Sequence, residues 1–421
     1  MKNLQAIADV RSGKRTVANA AWWGFDPEDA TVGLQAAIDS GAKRVVVPNM
    51  HTDWIIQPIK LVGNQALIFE PGTVVTAKRG EYRGRGDSMF TAQDVENLTI
   101  RGYGATFRMW KQDYINGLVL EQFGWHRWYG QYPKAEWRMT LSIRGSKNVN
   151  VSGLTLKDSG GDGVYVDGGT KRDASENVVL RDLVCDNHYR QGISVISAEN
   201  LKVENCTFSN TWGTPPASGV DIEPDKSEQK IKNTVFSGCQ FIDNVGDGIE
   251  VFLAHTNGES DDVMLRFENC YISSKHGTGI RVSKIGDNGP GGSIEFDNCT
   301  VANTVGYGIK VQEKSLKGAR VRFTNCKVIH AASDRQFGGE WSPISLSLPK
   351  PELVQTMGGI DFINCFVEDN RDRPAIEFTQ LESDLPLHDI TGTITVLNAN
   401  GVRAELGKDR EKLPLIVREY E

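Results

Sequence analysis

Between Ala217 and Asp225 the chain reads ASGVDIEPD, with three carboxylates, Asp221, Glu223 and Asp225, on alternate residues around Val220 and Ile222. Alternate residues of a strand share a face, so this spelling sets like charges side by side among residue types that are poor strand formers. A fourth acid, Glu250 in GDGIEV, follows Asp221 by 29 residues. Interacting carboxylates titrate as a coupled pair with one proton held to higher pH. That is the equipment of general acid and base catalysis, and it makes Asp221, Glu223 and Glu250 the candidate catalytic residues. The competing reading is a charged strand face that serves solubility, in which Arg281 and Lys310 balance the acids.

The acids belong to a recurring phrase. It runs GDGVYV, RQGISV, ASGVDI, GDGIEV, GTGIRV and GYGIKV, and its glycines Gly163, Gly192, Gly219, Gly248, Gly279 and Gly308 lie 27 to 31 residues apart. Two places after each glycine stand Tyr165, Ser194, Asp221, Glu250, Arg281 and Lys310; just before it stand Asp162, Gln191, Ser218, Asp247, Thr278 and Tyr307. Stacked at the spacing of a parallel sheet, about 4.8 Å, these would form an acidic groove with cations one rung beyond. Asp162, Tyr165, Asp247, Arg281 and Lys310 are therefore candidate substrate contacts. His188 and Arg190 in CDNHYRQG and Trp212 in SNTWGTPPASG join them, each with the plainer alternative of a hydrogen-bonded turn residue or loop anchor. The run FGWHRWYGQYPKAEW adds Trp128, whose ring suits a sugar face or a packing contact equally.

The elements that position these residues are legible in a second repeat. VENCTF, FSGCQF, FENCYI, FDNCTV, FTNCKV and FINCFV carry six of the seven cysteines, from Cys206 to Cys365, and Cys185 precedes them. Seven is an odd number, and disulfides need no shared local phrase, so the thiols read as small apolar groups stacked in a repetitive core. Two short strands per repeat, at a period too short for a helical crossover, pair with their own kind only by coiling. The expectation is one all-β domain over 1–421, a parallel β-helix solenoid: an opening strand and capping helix in about 1–50, coils in about 51–400, last strands in about 390–421. The helix is placed by DPEDATVGLQAAIDSG, apolar at Leu34, Ala37 and Ile38 and closed by Gly41 before the strand at Val45–Val47. It would cover the open end of the coil.

With DATVGLQAAIDSG, FEPGTVV and the Gly-Ile-x-Val ladder in view, the chain resembles the pectin-lyase-like superfamily of right-handed parallel β-helices over nearly its whole length. That resemblance implies carbohydrate chemistry in general, since glycoside hydrolases, lyases, uronate epimerases, fructosyl-transferring enzymes, pectin esterases and phage tailspikes share the fold. GGDGVYV and GIRVSK are partial counterparts of polygalacturonase strands, but that branch's paired aspartates and Gly-His-Gly strand have no match, so its catalytic set does not transfer. The acidic cluster favours a glycoside hydrolase. The alternatives are a polysaccharide lyase or uronate epimerase that uses Arg281, Lys310 or His188, and a tailspike-like protein that holds glycan without cleaving it.

The net charge of -7 and the lack of a long Lys/Arg block argue against nucleic acid and anionic membrane as partners. No HExxH, GxSxG or nucleotide-binding loop in the right context is present, so no cofactor is expected; calcium at Asp162, Asp225 or Asp247 stays open. A homodimer or homotrimer is compatible with the sequence. With no apolar leader at its start, the chain reads as cytoplasmic, or as secreted with its leader outside this sequence.

Overall fold

The computed structural model describes residues 2–115, 132–133, 135–333, 341–349, 351–380, 386–398, 402–406 and 410–420. It forms two compact units, Met1–Ser194 with Lys202–Pro215, and Val195–Leu201 with Pro216–Glu421. Trp128 lies outside the described residues.

In the first unit, parallel strands stack coil upon coil. Glu96–Arg108 pairs with Lys147–Lys157, which pairs in turn with Ser175–Arg181 and Val184–Asp186. A second row runs Ile59–Lys60, Phe90–Gln93, Leu141–Arg144 and Val164–Asp167, again parallel. The expected helix spans Thr31–Ile38, with Leu34, Ala37 and Ile38 fully buried. Its start is held by Asp29, which accepts the Thr31 N–H at 3.0 Å and pairs with Lys78 at 2.7 Å. Its Gln35 amide both donates to the Lys60 carbonyl and accepts the Lys60 N–H at 2.9 Å. The helix thus satisfies the backbone of the strand at the end of its row, which would otherwise be an open edge. A second short helix, Leu4–Arg11, buries Ala6, Ile7 and Val10.

The second unit shows why the cysteine phrase recurs. Strands Thr234–Ser237, Val263–Glu268, Gly292–Asp297 and Arg320–Thr324 stack in parallel, followed by Met357–Asp369. Three residues ahead of each cysteine a phenylalanine points inward, and Phe236, Phe267, Phe296, Phe323 and Phe362 stack face to face at 4.8 to 5.3 Å. The asparagines before the cysteines turn the corner in the left-handed region, at φ of 50° to 53° for Asn269, Asn298, Asn325 and Asn364, which asparagine tolerates. They also bond one another, Asn298 to Asn269 at 2.7 Å and Asn364 to Asn325 at 2.8 Å. All seven cysteines of the chain are buried thiols outside any disulfide.

The repeated glycine has a different cause, close approach of the adjacent rung. A Cβ on Gly219 would sit 2.6 Å from the Gly248 carbonyl oxygen, and one on Gly279 would sit 2.7 Å from that of Gly308. No Cβ tolerates such contacts, so the strand that follows each glycine enters the row at a fixed depth.

Candidate functional site

Six strands of the second unit lie parallel and in register: Val220–Ile222, Ile249–Phe252, Ile280–Ile285, Ile309–Lys314, Ile344–Leu348 and Ile376–Gln380. Their apolar residues, such as Val220, Ile222, Ile249, Val251, Ile280 and Val282, are completely buried. The residue between each pair is therefore turned to the opposite face. Register sets Asp221 beside Glu250, Glu250 beside Arg281, Arg281 beside Lys310, Lys310 beside Ser345 and Ser345 beside Glu377. The expected stack of Asp221, Glu250, Arg281 and Lys310 is thus present, and it extends to Glu377.

Glu250 is the pivot of this column. Burial pushes its carboxyl up to about 7, with the Asp247 charge adding to the effect, Arg281 and the Ser218 hydroxyl opposing it, and Glu223 adding a smaller repulsion. The Ser218 Oγ donates to Glu250 Oε2 at 3.3 Å. Ala217, one residue earlier, is held at φ 56°, which sets the turn from which Ser218 projects. Asp247 accepts the Thr278 N–H at 2.6 Å and binds the Arg281 guanidinium through Nε and Nη2. Lys310 is lowered from the usual lysine range by burial and by the Arg281 charge, and its Nζ sits 5.0 Å above the Tyr307 ring. Tyr307 stacks on Trp341 at 5.0 Å, and burial pushes its phenol up to about 12. Glu377 is raised by burial and accepts the Ser342 hydroxyl at 3.0 Å.

Two expectations for the acids need correction. Alternation along the strand predicts Asp221 on a solvent-facing groove, but it is only 1% exposed. Alternation gives the face of a residue and says nothing of what covers that face. Asp225 is exposed and lies beyond the three-residue strand, so it does not share the face of Asp221; its N–H and that of Lys226 bond the Gln229 side chain instead. Glu223 also follows the strand, half-buried, its N–H on the Val195 carbonyl at 3.2 Å.

The remaining candidates fall in the first unit. His188, expected to touch substrate, is fully buried, its Nδ1 2.8 Å from the Ser159 hydroxyl, and burial together with the Lys111 charge lowers it to about 3. It is a neutral interior group with no surface to offer a ligand. Tyr165 is likewise buried, its hydroxyl donating to Asp167 at 3.2 Å under the Arg144 guanidinium, so it presents no free ring. Asp162 has no exposure either; burial raises it to about 6 against the pull of Arg190, which stands 3.7 Å from both Asp162 and Glu136. Trp212 is 38% exposed, donates to Asn187 at 2.8 Å and carries the Lys111 ammonium 4.2 Å from its ring centre.

Sequence reasoning missed Glu377 and Trp341. The Ile-Glu-Phe alternation in RPAIEF follows the ladder without its glycine, and that signal could have found Glu377. A concavity of about 830 Å³ lined by Lys327, Phe366, Glu368, Arg418 and Tyr420 shares no residue with the column. The column is the better site because Glu250, Arg281 and Lys310 are half-buried and perturb one another in sequence. Among the described residues, no group of three or more His, Cys, Asp or Glu side chains is arranged to hold a metal ion, and the Asp247 charge is taken by Arg281. No described helix is long and apolar enough to cross a membrane.

A family model described as a right handed beta helix region matches residues 137–264. A prophage-derived uncharacterized protein of Bacillus subtilis, YorA, is 26% identical over 215 residues, an alignment that takes in 48% of this chain and 34% of that relative. Among solved structures, the tailspike of Escherichia coli bacteriophage HK620, in complex with a pentasaccharide, superposes with a TM-score of 0.61 at 13% identity, over 98% of this chain and 79% of that one. The A-module of the Azotobacter vinelandii mannuronan C-5 epimerase AlgE6 gives 0.60 at 13% identity, over 96% and 99%. A family 28 exopolygalacturonase of Yersinia enterocolitica gives 0.59 at 14% identity, over 96% and 78%. At such identities the likeness concerns the fold. The chain thus carries a right-handed parallel β-helix fold.

Proposed function

We propose that this chain cleaves glycosidic bonds in an oligo- or polysaccharide, with Glu250 as the proton donor. The observation that carries the reading is a half-buried carboxyl lifted to about 7, in register with a second carboxyl at Asp221. A carboxyl still protonated near neutrality can deliver its proton to a leaving glycosidic oxygen. The half-buried Glu223, whose charge already reaches Glu250, then either deprotonates the attacking water or attacks the anomeric carbon itself. Arg281 and Lys310 supply positive charge along the substrate path, and the Tyr307–Trp341 pair supplies an aromatic wall of the kind that sugar rings stack on. The fold shared with a pentasaccharide-bound tailspike, a mannuronan epimerase and an exopolygalacturonase supports a glycan as the ligand class.

A second reading is favoured by one observation, the lowered Lys310 beside Arg281. An amine that loses its proton more readily can abstract the proton next to a uronate carboxylate that a guanidinium neutralises, as a lyase or epimerase requires. Product analysis on a glycan panel separates the readings. Hydrolysis leaves new reducing ends, elimination leaves an unsaturated uronate that absorbs in the ultraviolet, and a pure binder leaves neither.

A further inference from the structure

Beside Glu250, on the same coil, Asp247 has a setting that substrate contact does not explain. It is 5% exposed, it accepts the Thr278 N–H at 2.6 Å, and both its oxygens engage the Arg281 guanidinium. Arg281 is at the same time the register partner of Glu250. We propose that Asp247 is a positioning residue: it holds the Arg281 fork on its own carboxylate, so that the guanidinium does not turn onto Glu250, and it presents its negative charge to Glu250 in the same act. This rests on Glu250 being the proton donor of the site.

The groups around Glu250 bear this out. Asp221 and Glu223 approach from the preceding coil, the Ser218 hydroxyl from the turn beside Asp221, Asp247 from its own coil and Arg281 from the following one. Three acids thus stand against one cation. A fork-to-fork pair with a carboxylate is among the strongest charged contacts a protein makes and favours the ionised acid. Were Arg281 free, it would draw the proton off Glu250; with Arg281 tied to Asp247, burial and the Asp247 charge outweigh its pull. Repulsion by Asp247 and its capture of Arg281 act in the same direction.

The test is a nuclear magnetic resonance titration of the full chain, labelled with carbon-13 at the glutamate carboxyls, with Glu250→Gln identifying the Glu250 signal. In the unsubstituted protein the Glu250 midpoint should lie near 7. Asp247→Asn should lower it by about one pH unit or more, and Arg281→Gln should raise it. A midpoint unmoved or raised in Asp247→Asn overturns the proposal, as does an ordinary carboxylate midpoint in the unsubstituted protein. If Asp247→Asn does not fold, Arg281→Gln decides, and an unmoved or lowered midpoint there overturns it. No substrate enters this titration. Full glycan cleavage by Glu250→Gln would remove the proton-donor reading and leave the midpoints standing, so the two failures are distinct.

Discussion

Asp221 and Glu250 are register partners on successive parallel strands, the first 1% exposed and the second half-buried. Burial, with the Asp247 charge adding to it, lets Glu250 keep a proton that an exposed carboxylate would lose, and this is the property from which the proposed chemistry follows.

Replacing Glu250 by Gln should raise stability in a pH-dependent way. Its carboxyl is lifted from 4.5 to about 7, so between those values the folded chain holds a proton that the unfolded chain releases, and stability falls as pH rises through the window. At pH 8 the variant should be more stable by up to about 2–3 kcal/mol, and the advantage should vanish near pH 4. Denaturant unfolding of both proteins at the two pH values checks this.

His188 should make the first unit acid-sensitive. It is lowered from 6.5 to about 3, so between those values the unfolded chain binds a proton that the folded chain refuses, and stability falls as pH falls. Asp162, raised from 3.8 to about 6, works in the opposite sense, its contribution falling as pH rises through that interval. His188→Gln, which retains an acceptor for Ser159, should flatten the acid slope of the melting temperature between pH 6.5 and 4. An unchanged slope would place the acid sensitivity elsewhere.

The phenylalanine column should be the costliest place to cut the second unit. Phe296 stacks on Phe267 at 5.1 Å and on Phe323 at 4.9 Å, so Phe296→Ala removes a ring from the middle of a continuous stack and leaves a cavity. The expected loss is about 3–5 kcal/mol by denaturant unfolding, with Phe296→Leu costing less. A loss below about 1 kcal/mol would show that the coils close over the gap.

Much of the coil was legible in the sequence because a solenoid writes one physical requirement many times. The Asn-Cys phrase marks the left-handed corner at Asn269, Asn298 and Asn325, and the ladder glycine marks where one rung's carbonyl meets the next at Gly219 and Gly279. The column from Asp221 to Lys310 followed from that register. What lay outside reach was cover. Tyr165 and Asp221 occupy the same ladder position as the half-buried Glu250, Arg281 and Lys310 yet are buried, and His188 is buried at its turn, none of which the repeat itself announces. Nor does periodicity say which carboxylate an arginine chooses, and Arg281 chooses Asp247 on the neighbouring coil.

The central claim is that Glu250 delivers a proton to a glycosidic oxygen. The most direct measurement compares new reducing ends formed from a glycan panel by the unsubstituted chain and by Glu250→Gln, with the fold of each verified by its circular dichroism melt. An amide cannot give up the proton, so on any glycan that the unsubstituted chain hydrolyses the rate should fall by about 10²–10⁴-fold in the variant while the melt is preserved. Undiminished cleavage by Glu250→Gln, or an ultraviolet-absorbing unsaturated product in place of a new reducing end, would contradict it.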